Sequence, residues 1–478
     1  MYDEKIQLLI DGVWREGSEG KSQPLVNPAT GEEMASVPHA SSADLDEALA
    51  AADKGFRVWK SMTAIERYRI MMKAADLIDA DLERIARLLT MENGKPLVES
   101  RGEVAFSADA TRWYAEEGKR AYGRIVPGRI ANQRQIVLKE PVGVVAAFAA
   151  WNFPASNVIR KVAGALGAGC SIILKTAEET PGTAVAFARC FEKAGVPAGV
   201  INLVFGVPDE VSSHLLASPI PKKVSLTGST AVGKLLQQRA AETLKRCTME
   251  LGGHAPVIVH HDADVELAVA TLAAAKFRNA GQVCTSPTRF FVHETIYGRF
   301  LELFVARVAQ LKIGNGLDAD TQMGPMIAAR RLDAIQSLVD DAVGKGARLL
   351  TGGKSLGGKG FFYAPTVLAD VPDNARIMQE EPFGPVASFQ SFSTFDDVIA
   401  RANATPYGLA SFVFTTSGAL AHQTELALDA GMVGVNNTAI STPETPFGGV
   451  NASGYGSESG IEGLEAFQRV KTVSEIFP

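Results

Sequence analysis

The chain predicts an α/β fold built from two parallel-sheet units, and three observations carry that reading. Between residues 141 and 260 strand-like apolar runs alternate with helix-like segments, the rhythm of a parallel sheet covered by helices on both faces. The alternation resumes from 262 to about 460. At 478 residues the chain is too long for one ordinary core, and its 46% apolar content is enough to fill two or three.

Taken in order, residues 8–38 read as short strands broken by turns, Leu-Leu-Ile-Asp-Gly-Val-Trp at 8–14 and Asn27-Pro28-Ala29-Thr30-Gly31 after it. From 42 to about 122 apolar residues recur at three- and four-residue spacing, through Ala48, Ala51 and Phe56. That predicts helices, with Ser42 and Asp44 as N-cap candidates and a packing layer as their role. Gly123, Pro127 and Gly128 break the pattern, and 134–139 alternates polar with apolar as an exposed strand does. A strand without an evident partner there invites pairing with another subunit. The first unit is expected to place strands at 142–150, 171–175, 200–205, 223–227 and 256–260, separated by helices at 155–168, 180–194, 209–217 and 231–244. Ligands of such sheets lie at the carboxyl ends of the strands, where Trp151-Asn152, residues 175–178 and Gly228-Ser229 fall. The second unit brings helices at 264–279, 296–310 and 327–345, and strands at 290–292 and near 364–368, 386–392, 410–415 and 432–436. It closes on a glycine-rich stretch at 446–456 and a mixed tail.

Composition excludes several classes of partner. A net charge of −6 with acids and bases interspersed leaves no basic stripe for nucleic acid or an anionic membrane. The longest apolar run, 142–151, is half of what a spanning helix needs. The first residues carry acids where a signal peptide needs a basic region, and the four cysteines (170, 190, 247, 284) have neither metal-ligand nor disulfide-framework spacing. No metal is expected, and a reducing cytoplasm is the expected setting.

The chemistry concentrates between Glu250 and Cys284. Glu-Leu-Gly-Gly-His-Ala-Pro at 250–256 and Gly-Gln-Val-Cys-Thr-Ser-Pro at 281–287 supply an acid backed by glycines and a cysteine in a short polar turn. A covalent thiol mechanism with a separate water-activating step requires such a pair, although a lone cysteine is more often a small buried apolar residue. Upstream, Trp151-Asn152-Phe153-Pro154 adds a third piece. The segment 224–234 imitates a phosphate-binding P-loop through Gly228-x4-Gly233-Lys234, but Leu235 stands where that loop needs a hydroxyl for magnesium. A strand ending in Gly-Ser-Thr and opening a helix still offers amides to a pyrophosphate.

With these motifs in view the chain resembles the aldehyde dehydrogenase superfamily over nearly its whole length. The resemblance implies a Rossmann-like cofactor domain (1–122 and 141–252), a second α/β catalytic domain (253–460) and a small β oligomerisation arm (123–140 and 461–478) that makes a homodimer or homotetramer. It implies Cys284 as nucleophile, Asn152 as oxyanion donor with the Cys284 amide, and Glu250 as the base for thioester hydrolysis. For the cofactor it implies Trp151, Lys175, Glu178, Gly228, Ser229, Leu251, Glu381 and Phe383, the last two from Glu-x-Phe-Gly-Pro at 381–385. A carboxylate at 178 accepts ribose hydroxyls and repels a 2′-phosphate, so NAD is expected over NADP.

Arg160, Arg278, Ser441 and Thr442 look like the carboxylate-gripping set of succinate-semialdehyde dehydrogenases, which implies oxidation of an ω-carboxylated aldehyde such as succinate semialdehyde. α-Ketoglutarate-semialdehyde dehydrogenases share the pattern, and a dehydrogenase of neutral aliphatic or aromatic aldehydes is the other alternative. Ser286 replaces the second cysteine found in some of these enzymes, so no disulfide switch is expected. His254 stands where lysine or asparagine is common and has no derivable role.

Overall fold

The computed structural model describes residues 2–477. Its first sheet has eight strands in the spatial order Val13–Arg15, Leu8–Ile10, Ile201–Val204, Ser171–Lys175, Val144–Phe148, Pro221–Thr227, Arg246–Glu250 and Gly454–Tyr455. The five inner strands are parallel, and antiparallel strands close both edges. Helices Ser156–Ala168 and Pro181–Ala194 are buried on nearly every side because they lie between this sheet and further helices. Residues 8–14 form a hairpin, as short strands broken by a turn: Asp11 (φ 48°) and Gly12 (φ 78°) take the two left-handed positions of a tight turn.

The helical layer over 42–122 resolves into Ser42–Ser61, Ala64–Ala80, Leu82–Asn93 and Leu97–Lys119. The cap of the first helix departs from expectation. Ser41, not Ser42, accepts the Asp44 amide, and the Asp44 carboxylate returns the bond to the Ser41 amide in a capping box. Asp44 is therefore the third helical residue.

The second sheet has seven strands in the order Arg348–Thr351, Thr366–Ala369, Val386–Phe392, Pro287–His293, Ala255–Val259, Ala410–Phe414 and Met432–Val435, parallel except at the first edge. Its core is separate from that of the first sheet and contains a phenylalanine cluster, with Phe290 and Phe389 stacked at 4.5 Å. Leu464 and Phe467, late in the chain, return to the first core.

The strand expected at 134–139 runs as Gln133–Pro141, and it is not unpartnered. It is the centre of a three-stranded antiparallel sheet, with Arg124–Pro127 on one side and Gln468–Ile476 on the other in a nine-residue register. The partner strand lies more than 300 residues away, a pairing no local pattern announces. Ile125, Val470 and Ile476 of the flanking strands are exposed. No helix among the described residues is long and apolar enough to cross a membrane.

Candidate active site

Between the two sheets lies a cleft of about 560 Å³. The first unit lines it with the loops that follow its strands: Ala150 to Asn152, Thr227 to Ala231, and Leu251-Gly252. The second unit contributes loops that precede its strands, with Cys284, then Glu380, Glu381 and Phe383, and it adds Arg330 and Arg331 from a helix.

Cys284 sits between a short 3₁₀ turn, Arg278–Gly281, and the strand Pro287–His293. Asn279, Ala280 and Gly281 take successive positive φ angles of 47°, 52° and 71°. Left-handed backbone is costly for alanine, and such strain gathers where geometry serves a function. Glycine is required at 281, where a Cβ would lie 2.1 Å from the Gly384 carbonyl oxygen. Glycine is equally required at 253, where a Cβ would meet the Cys284 carbonyl oxygen at 2.3 Å, so the Gly-Gly of the first motif lets the two motifs touch.

Asn152 is held on all sides. Its Oδ1 accepts from Asn157 Nδ2 at 3.2 Å, which fixes the amide so that Nδ2 donates to the Gln282 carbonyl at 3.1 Å, two residues before Cys284. Its own carbonyl accepts from Lys95 Nζ at 2.8 Å and Asn279 Nδ2 at 2.9 Å. Lys95 is in turn paired with Glu103 at 2.6 Å, and both are buried. The donor needed at an oxyanion is thereby preset in direction.

Glu250 ends its strand with both carboxylate oxygens buried and without a hydrogen-bond partner. Burial pushes its pKa well above the usual carboxylate range, the charge of Glu458 pushes it further, and Lys161 and Arg160 pull the other way. Lys161 and Glu458 form a buried pair at 2.6 Å, with Lys161 also donating to Thr227 Oγ1. Burial also raises the Cys284 thiol, to about 12, with the carboxylates of Glu381 and Glu250 adding to it and Arg160 opposing. The resting sulfur carries its proton. Glu381, whose Oε1 accepts the Gly253 amide at 2.9 Å, is raised to about 7 by burial.

Arg160 is buried, its guanidinium lying between the rings of Phe447 (4.2 Å) and Phe106 (5.2 Å). One Nη donates to Ser441 Oγ at 2.6 Å, while its Nε is buried without a partner. Thr442 does not join it and bonds to Thr445 instead. Arg278 is exposed, stacks on Phe153 at 4.8 Å, and lines a second hollow of about 310 Å³ with Val283 and Thr285, the two neighbours of Cys284.

Lys175 and Glu178 are buried and pair with each other at 2.5 Å, and Glu178 also accepts the Gly206 amide. Ser229 caps the helix Thr230–Ala241, whose N-terminus faces the cleft. Trp151 and Phe383 meet edge to face at 5.5 Å on its wall. His254 gains a structural account: it is buried, its Nδ1 shares a hydrogen with Thr288 Oγ1, and burial holds its pKa well below the ordinary value, so it is a neutral packing residue.

Sequence reasoning missed Asn157, Lys161, Glu458 and Phe447. Lys161 left a signal, as a charge inside the helix Ser156–Ala168, whose residues are all buried. Glu458 left none, since its partner is 297 positions away.

Comparison with known proteins agrees with this geometry. The aldehyde dehydrogenase family matches residues 14–473. The chain is 49% identical to 4-(hydroxymethyl)benzenesulfonate dehydrogenase TsaD1 of Comamonas testosteroni over 97% of both chains. It is 44% identical to 3-sulfolactaldehyde dehydrogenase of Pseudomonas putida over 98% of this chain and 96% of the other. With succinate-semialdehyde dehydrogenase [NADP(+)] GabD of Escherichia coli it shares 42% over 97% and 96%. Among solved structures, an NADP dependent enzyme of E. coli superposes with a TM-score of 0.98 at 41% identity, covering 99% of this chain and 98% of that one. A family match across almost the entire chain and relatives above 40% identity at full coverage place this protein in the aldehyde dehydrogenase family.

Proposed function

We propose that this aldehyde dehydrogenase oxidises an aldehyde carrying a second, anionic end to the corresponding acid with NAD, and that succinate semialdehyde represents its substrate class. The observation that carries the reading is a cleft lined by Cys284 and by Asn152, whose amide has its direction fixed, with the buried carboxylate of Glu250, both oxygens free, on the residue just before the cleft-lining Leu251 and Gly252.

The cleft suits a dinucleotide. Its volume falls in the range of cofactor sites, a capped helix N-terminus with Gly228-Ser229 before it lines one wall, and Glu381 offers a half-buried carboxylate for a ribose. When bound, the cofactor accepts the hydride. In this assignment residues 1–122 and 141–252 hold the dinucleotide through Trp151, Lys175, Glu178, Gly228, Ser229 and Leu251, while 253–460 carry the catalytic loop and add Glu381 and Phe383. The buried negative charge of Glu178 supports NAD over NADP, although a relative's name specifies NADP. The exposed apolar side chains of the arm, 123–140 and 461–478, support its pairing with a second copy in a homodimer or homotetramer.

Cys284 gives up its thiol proton to solvent in the cleft, Sγ attacks the aldehyde carbon as the C=O π bond opens, and the new oxyanion is received by Asn152 Nδ2 and the Cys284 amide. The thioester left on sulfur after oxidation is hydrolysed by water that Glu250 deprotonates. Replacing Asn152 with alanine is expected to lower kcat by ~10²–10³-fold, the usual loss for one oxyanion donor, measured as steady-state NADH formation.

Arg160 and Ser441, with Arg278 by the hollow beside Cys284, form the anion end of the site. Arg160→Ala is expected to raise KM for succinate semialdehyde by ~30-fold or more, the scale of a truncated buried charge contact, and to leave KM for an uncharged aldehyde of similar length within a few-fold. Because Arg160 also opposes the raised pKa of Cys284 and of Glu250, kcat falls for both substrates, and only the split in KM reports recognition. The names of the two sulfonate relatives support a second reading, a sulfonate in place of the carboxylate. Assaying carboxylated, sulfonated and neutral aldehydes with NAD and with NADP decides among these; equal efficiency on neutral aldehydes would remove the anion end from the proposal.

A further inference from the structure

Lys276 is fully buried on the helix Val265–Phe277 and is absent from the chemistry above. Among the described residues it forms no ion pair within 4 Å. The hydrogen bond made by its Nζ goes to Ser286 Oγ, at 3.2 Å. A buried ammonium held by one neutral hydroxyl is a poor use of a charge, because its desolvation is barely offset. Desolvation accordingly draws its pKa down to about 7, with the charge of Glu381 opposing. A methionine of similar length would fill the same space without that cost, so packing does not explain the lysine.

The place of Ser286 does. The nucleophile turn is anchored on its upstream side by the Gln282 carbonyl, which accepts from Asn152 and Asn279. Downstream, the Ser286 amide closes the turn on the Val283 carbonyl at 3.0 Å, and the Ser286 hydroxyl also donates weakly to the Pro287 carbonyl at 3.4 Å. Lys276 is the bond from that side of the turn to a helix of the second core. Cys284 lies midway between the two anchors.

We propose that Lys276 is a positioning residue for the nucleophile, fixing the downstream end of the Cys284 turn through Ser286 Oγ so that the sulfur is held toward the Asn152 amide. The proposal rests on Cys284 being the nucleophile, and it concerns how that sulfur is aimed.

The test is a double-mutant cycle on the full chain, read by the rate of Cys284 alkylation with iodoacetamide, followed on the Cys284 peptide by mass spectrometry, and by the separate values of kcat and KM. Lys276→Met and Ser286→Ala are each expected to slow alkylation and lower kcat by about tenfold, the scale of one hydrogen bond, with KM for the aldehyde unchanged. The double variant is expected to be no slower than the worse single, because both remove the same link. Ser286→Thr, which keeps the hydroxyl, restores the rate. The melting temperature of Lys276→Met is expected to hold or rise. If Lys276→Met does not fold, Ser286→Ala against Ser286→Thr still decides. Multiplying losses in the double variant, or full alkylation rates in Ser286→Ala, would overturn the proposal. Alkylation of Cys284 with no effect of Cys284→Ala on turnover would instead remove the nucleophile assignment on which it rests.

Discussion

Cys284→Ala is expected to abolish NADH formation, lowering kcat by ~10⁵–10⁶-fold, the loss that follows removal of the attacking atom from a covalent enzyme. The reason is chemical. An aldehyde hydrogen leaves as hydride only after a nucleophile has made the carbon tetrahedral, and among the cleft residues the sulfur is the atom for it. Cys247→Ala supplies the control. Cys247 is half-buried like Cys284, but it stands on the strand Arg246–Glu250 and does not line the cleft, so its removal leaves kcat within twofold or so. Intact-mass measurement of enzyme quenched with aldehyde and oxidised cofactor is expected to find an acyl adduct in the wild type and in Cys247→Ala, and none in Cys284→Ala. Retained turnover in the alanine variant would end the covalent mechanism. The raised thiol does not argue against the role. Burial and the two nearby carboxylates favour the protonated resting sulfur, and Arg160 is the charge that counters them.

The legible parts of this protein were those whose signal is local. Four of the five parallel strands of the first sheet and the helices between them follow from apolar runs punctuated by glycine and proline, with most observed bounds within two or three residues of the expected ones; the fifth, Arg246–Glu250, is not among the expected strands, and the strand expected at 256–260 runs as Ala255–Val259 inside the second sheet. The three motifs were legible because each is a short string, and the fold brings Asn152 and Cys284 to one cleft with Glu250 at the end of an adjoining strand. The middle strand of the arm shows no partner in the local sequence because that partner lies at the other end of the chain, and only the resemblance joins 123–140 with 461–478. The first helix cap was misplaced by one residue because Ser41 and Ser42 are equivalent as sequence, and only the Asp44 carboxylate reaching back to Ser41 separates them. Lys175 and Glu178 were paired with a ligand in expectation and pair with each other in the structure, since i,i+3 spacing brings opposite charges together with or without a guest. Arg160 and Ser441 were joined through the resemblance alone, 281 positions apart, and the 2.6 Å bond between them gives that pairing a physical basis; Thr442 has none.

Glu250→Gln is expected to separate the two halves of the reaction. Sulfur attack and oxidation do not need a base for water, so mixing the variant with aldehyde and NAD releases a stoichiometric burst of NADH, followed by turnover slowed ~10²–10⁴-fold, the usual contribution of a positioned base. Rapid-mixing absorbance shows both phases, and steady turnover at the wild-type rate would take Glu250 out of the mechanism. The environment of the carboxylate also sets a pH dependence. Its pKa is raised, so it is protonated and inactive as a base at pH values where an ordinary glutamate is already ionised. The deacylation rate in the wild type must therefore rise with pH through an acid limb displaced upward from the usual carboxylate range. Glu458 contributes to that displacement by repulsion, and Lys161, its 2.6 Å partner, opposes it. In Glu458→Gln the repulsion is gone and the Lys161 charge is no longer shared with a carboxylate, so both changes favour ionised Glu250. The acid limb is expected to move to lower pH, and an unmoved or upward limb would mean that Glu250 does not feel the buried pair behind it.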